Sequence, residues 1–156
     1  SSLADLQAQF DFLIAVRDKL SEAHQAVIDI RSLRTDLDYL TEKLAGSDAG
    51  TADIVAAIES LKEEIAVIEN NIHETRNEAR QDPLNFGIKL NNRLAYLATH
   101  ESAGDFRPTD QAVAYREEVS AQIDAELAAL NALLTERLPE INRMIRQQNI
   151  EVLAVP

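Results

Sequence analysis

Three histidines, His24, His73 and His100, are the side chains best suited to acid–base or metal chemistry in a chain that has no cysteine. Imidazole changes charge near neutral pH and ligates transition metals. In a helical bundle the pattern that would use it is a di-iron site, with a glutamate three residues before each ligating histidine. Those positions hold Ser21, Asn70 and Leu97. The HExxH zinc motif is absent too, so no metal or cofactor is expected. Lack of cysteine removes disulfides, zinc–thiolate sites and thiol nucleophiles. It leaves the redox compartment open. No GxSxG, GxGxxG or P-loop occurs. The remaining candidates are the 27 acidic residues. A glycosidase sets two carboxylates across a cleft, but here they recur on outer helix faces. A slim bundle gives them no obvious pocket. The expectation is a non-enzymatic protein, with a glycan-acting enzyme domain as one alternative.

A second pattern concerns recognition. Arg17, His24 and Arg31 stand seven residues apart, each one step beyond an apolar residue: Val16, Ala23 and Ile30. They form a line along the edge of a helix seam. Such a line either pairs with acids of a neighbouring helix or forms a polar strip for a partner. The stretch "DPLNFGIKLNNRLAYL", from Asp82 to Leu97, departs from the Ala/Leu/Ile/Glu/Arg rhythm around it. Asp82, Asn85 and Asn91 can satisfy helix ends and loop carbonyls. Pro83 stops a helix, and Gly87 opens backbone conformations closed to other residues. The reading is a structural corner of Asp82, Pro83, Asn85, Gly87 and Asn91, packed against Arg17 and His24.

The elements that carry these residues are helices. Apolar residues make up 46% and aromatics only 4%, with four glycines and four prolines, which favours long helices over strands. Ser2 with Asp5 is a weak capping box. Leu6, Phe10, Leu13, Val16, Leu20, Ala23, Val27, Ile30, Leu33, Leu37, Leu40 and Leu44 then follow at steps of three and four. That stripe predicts one unbroken helix longer than 35 residues, about 65 Å at the helical rise. "AGSDAGTAD" ends it. Segment two, near 51–80, alternates Ile54, Ile58, Leu61, Ile65, Ile68 and Ile72. Segment three, short, starts near Gly87 or Ile88 and runs to about Ala103. Segment four, capped by Thr109, carries Val119 through Ile145 and meets Pro139, where a kink or break near Arg137 is expected. The tail "NIEVLAVP" reads as extended.

The fold class is therefore all-α: a single domain over 1–156, an elongated antiparallel bundle of two long helices, one medium and one short. Folding each segment back on the last makes segment three climb and segment four descend along helix one. The middle is then four helices thick. The tip, near 37–60, is two helices only, and Leu6, Phe10 and Leu13 meet Ile141 and Ile145 at the foot. On this register Leu37, Leu40, Leu44, Ile54 and Ile58 lie partly wet and form a candidate interface.

Charge narrows the partners. There are 27 acidic residues against 15 basic, a net charge of −12. Such a surface repels phosphate backbones, so nucleic acid is not expected, and anionic membrane is disfavoured. No run approaches the ~20 apolar residues of a membrane span. "SSLADLQAQF" is no signal peptide; it reads as a mature start or a domain cut from a longer chain.

The Asp82–Leu97 stretch, then "GDFRPTDQA", "LPEIN" and "HQAVIDIRSLR", closely resemble the C-terminal helical region of large bacterial secreted proteins. Those proteins carry sortilin-like (VPS10-type) BNR-repeat β-propellers and are often labelled glycosyl hydrolases. The matching residues are Asp82, Pro83, Asn85, Lys89, Leu90, Asn91, Asp105, Pro108 and Thr109. The likeness covers nearly the whole chain in order. It implies an extracellular or periplasmic setting and a C-terminal fragment of a larger secreted protein. It implies no catalytic residue in this region. The expected function is a non-enzymatic interaction or assembly module whose partner is protein, either its own propellers or further copies of itself. A stand-alone self-assembling structural protein is the other alternative.

Overall fold

The computed structural model describes residues 2–47, 50–73 and 89–154, with side chains through Gln148. The fold is all-α. The helices are α1 (Leu3–Ala45), α2 (Ala52–Ile72), α3 (Leu90–Glu101) and α4 (Asp110–Ala154), of 43, 21, 12 and 45 residues. Two long, one medium and one short is the set read from the sequence. No strand occurs among the described residues.

Local chemistry sets the ends. The Asp5 N–H donates to Ser2 Oγ at 3.1 Å and the Ser2 N–H to Asp5 Oδ2 at 3.4 Å, so the capping box closes both ways. The Ala112 N–H donates to Thr109 Oγ1 at 3.0 Å and starts α4. Gly50, before α2, has φ +60°, a conformation that costs other residues energy.

Segment one is the unbroken helix expected, and segment four shows no break at the interruption expected near Pro139. Proline removes a single ladder hydrogen bond and crowds one carbonyl; the helical turns on both sides hold the backbone in register. The tail expected to be extended is helical as far as Ala154.

The chain divides into two compact units, Ser1–Ile28 with Glu69–Leu127, and Asp29–Ile68 with Ala128–Pro156. In the first unit Asp5 pairs with Arg107, the Arg116 guanidinium lies over the Phe12 ring, and Lys19 pairs with Asp124. Both numbers rise together, so α4 runs parallel to α1. Gln9 Nε2 donates to the carbonyls of Glu101 and Gly104. α3 thus ends beside the start of α1, which makes it antiparallel to both α1 and α4. The unit's core holds Phe12, Val16, Ala23, Val27, Leu94, Val119 and Ile123, each under a tenth exposed.

In the second unit Asp38 pairs with Lys62, and Glu64 with Arg137. A Cβ on Gly50 would meet Gln148. α2 is therefore antiparallel to α1 and to α4, and three helical segments surround Leu37, Ile54, Ile58, Leu61, Ile65 and Ile141. This corrects the folded-back register. Segment three does not climb, and segment four does not descend along helix one. Ile141 and Ile145 share a unit with Leu37 and Ile58, not with Leu6, Phe10 and Leu13.

Candidate functional site

That correction removes the interface expected at the tip. Leu37, Ile54 and Ile58 are buried, and Leu40 and Leu44 are half-buried. The third helical segment, from α4, covers what two helices alone would leave wet. Of the expected corner, Asp82, Pro83, Asn85 and Gly87 lie outside the described residues. Asn91 is buried, with its Nδ2 3.0 Å from His73 Nδ1. Arg17 and His24 are exposed and both line a groove.

The groove lies in the first unit, between α1 and α3. Leu13, Val16, Arg17, Leu20, Ser21 and His24 line it from α1, and Ala98, Thr99 and Ser102 from the α3 side, around a volume of about 470 Å³. It exists because α1 carries two apolar stripes. One runs through Phe12, Val16, Ala23 and Val27 into the core. The other runs through Leu3, Leu6, Phe10 and Leu13 at steps of three and four, and reaches Leu20 seven residues on. In this second stripe Leu3 is 84% exposed and Phe10 58%. Seven-residue spacing continues from Phe10 through Arg17 to His24, so these two polar side chains stand where a coiled-coil seam would hold apolar residues.

The opposite wall is short and smooth. Thr99 Oγ1 donates to the Ala95 carbonyl and Ser102 Oγ to the Thr99 carbonyl, each at 3.1 Å. Their hydroxyls are satisfied by their own helix, so with Ala98 they turn mainly carbon towards the groove.

Among the described residues the lining includes Arg17 and His24 and no carboxylate, although the chain carries 27 acidic residues against 15 basic. Arg17 pairs with Asp18 at 3.0 Å, with both side chains more than 60% exposed. On the core side Lys19 Nζ reaches Asp124 at 2.6 Å and Glu22 at 2.8 Å. The Asp124 hydrogen bond, then that of Glu22, raises the lysine's pKa above its ordinary value.

The three histidines are scattered. His24 faces the groove, His73 meets Asn91, and His100 Nδ1 lies 3.4 Å from Glu101 Oε1. Among the described residues no group of three or more His, Cys, Asp or Glu could hold a metal ion. The Glu101 side chain is 3% exposed, and its Oε2 has no hydrogen-bond partner among the described residues. No described helix is long and apolar enough to cross a membrane.

The sequence reading missed Phe12, Gln9 and the small wall of α3. Phe12 had a signal: Phe12, Val16, Ala23 and Ile30 form their own stripe at helical spacing. Gln9 had none, because a side-chain amide that bonds loop carbonyls leaves no periodic trace.

A scan against protein-family models finds no match to this chain, and searches of curated proteins and of solved structures find none either.

Proposed function

We propose that the chain is a non-enzymatic helical interaction module that docks a protein partner through the second stripe of α1. We further propose that it is the C-terminal helical part of a secreted, extracellular or periplasmic protein with sortilin-like β-propellers. The docking reading is carried by one observation: Leu3, Leu6 and Phe10 stand 84%, 38% and 58% exposed at consecutive stripe positions. Contiguous apolar surface of this kind marks interaction sites, and each such side chain buried in a contact contributes roughly 1.5–3 kcal/mol. The propeller context is supported by the resemblance of Asp82–Leu97 and the segments after it.

The test mixes the chain with the propeller region of its full-length precursor and measures mass by sedimentation. A one-to-one complex is expected. Leu6→Gln with Phe10→Glu should dissolve it while melting stays within about 0.5 kcal/mol of the parent, as for ordinary surface changes. Mass that grows with concentration in the chain alone would support the self-assembling reading instead. A monomer that takes up no propeller would overturn the proposal.

A further inference from the structure

Building on that docking reading, we infer that the groove between α1 and α3 receives an amphipathic helix presenting carboxylates to Arg17 and His24. Shape argues for a helix. The α1 side repeats at three and four residues from Leu3 to His24, a surface that matches the ridges of another helix along about 30 Å. The α3 side offers Ala98, Thr99 and Ser102, with the two hydroxyls bonded back to their own helix. Small residues let a helix backbone approach.

Charge argues for an acidic one. Among the described residues the groove lining holds two basic side chains and no carboxylate, in a chain of net charge −12. Arg17 and His24 are seven residues apart, two helical turns, so one face of a partner helix meets both with acids at the same spacing. The present partner of Arg17 is Asp18, in a pair more than 60% exposed on both sides. Such pairs are weak, and a guanidinium has five N–H donors, so a second carboxylate adds to the first. A second copy of α1 fits poorly, because it would bring a second Arg17 and His24 into the groove.

The probe is a synthetic helical peptide of about three heptads with leucines at the seam and two glutamates seven residues apart. Its control carries lysines in place of the glutamates. Binding to the intact chain is read by fluorescence anisotropy. The glutamate peptide should bind about ten-fold more tightly, as expected from modest interfacial contacts of its carboxylates with Arg17 and His24. Arg17→Glu with His24→Glu should invert the preference, and Ala98→Phe should block both peptides without changing the circular dichroism. Equal binding of the two peptides, or a charge swap that leaves the order unchanged, overturns the inference. Failure of both peptides while the propeller complex forms overturns this inference alone. Failure of peptides and propellers together counts against the docking reading as well.

Discussion

Asn91 Nδ2 lies 3.0 Å from His73 Nδ1, joining the first turn of α3 to the residue after α2. Asn91 is 4% exposed, so its amide exchanges water for this bond. An amide that donates to Nδ1 selects the tautomer with the proton on Nε2. Asn91→Ala leaves the imidazole nitrogen without its donor and is expected to destabilise the fold by about 1–3 kcal/mol. Urea unfolding followed by circular dichroism measures it. A midpoint equal to the parent's would show that the bond contributes nothing to stability.

The ion pairs of the first unit give opposite pH limbs. Lys19 is raised above its ordinary value, chiefly by its hydrogen bond to Asp124 and then by Glu22. Its contribution is complete below the unfolded lysine pKa and is lost as pH rises through the folded one. Asp5 is lowered, chiefly by its hydrogen bond to Arg107 and then by Ser2. Its contribution is complete above the unfolded aspartate pKa and is lost as pH falls through the folded one. Asp124→Asn should therefore reduce the fall in melting temperature between about pH 9 and 12, the range spanning ordinary lysine titration. Asp5→Asn should reduce the fall below about pH 4, where ordinary aspartate titrates. An unchanged alkaline limb in Asp124→Asn would show that the lysine is not held by this pair.

The three-helix surroundings of Ile58 make it a core residue of the second unit. It is fully buried, whereas Leu40 is half-buried. Ile58→Ala is expected to cost about 2–5 kcal/mol through lost transfer energy and an unfilled cavity. Leu40→Ala should cost less. Thermal melts of the two variants decide it, and equal small losses would mean that α4 does not cover this seam.

Local elements were legible in this sequence, while their directions were not. The stripe from Leu6 to Leu44 gives the length of α1, and Ser2, Asp5 and Thr109 give helix starts, because periodicity and capping act within a few residues. Periodicity carries no arrow. Ile141 packs equally well on paper against Leu13 or Leu37, and only pairs such as Lys19–Asp124 reveal which end it occupies. Phe10 and Phe12 show a second limit. Both sit on apolar stripes of α1, and a wide apolar surface does not say which half faces the core. Phe12 is 2% exposed and Phe10 58%. The groove was half legible: the spacing of Arg17 and His24 marked an edge, but its second wall comes from α3, about 80 residues on in the same unit.

Pro139 offers the last test, and its sign is opposite to the others. It lies inside α4 on an exposed face, four residues after Thr135. The ring has no N–H to give to the Thr135 carbonyl and crowds that turn. The helix continues regardless, so neighbouring packing must hold the backbone against this defect. Leu130 and Ile141, buried on either side of it, are the nearest fully seated core residues of α4. Alanine restores the hydrogen bond and removes the clash, and it is better than proline by about 3 kcal/mol in a helix interior. Part of that gain is offset because proline also restricts the unfolded chain, by about 0.4–1 kcal/mol. Pro139→Ala should therefore raise stability by roughly 1–3 kcal/mol. Urea midpoints of the parent and the variant, compared at equal slope, measure the gain. A variant less stable than the parent would mean that the backbone restriction proline imposes is required for α4 to seat Leu130 and Ile141 together.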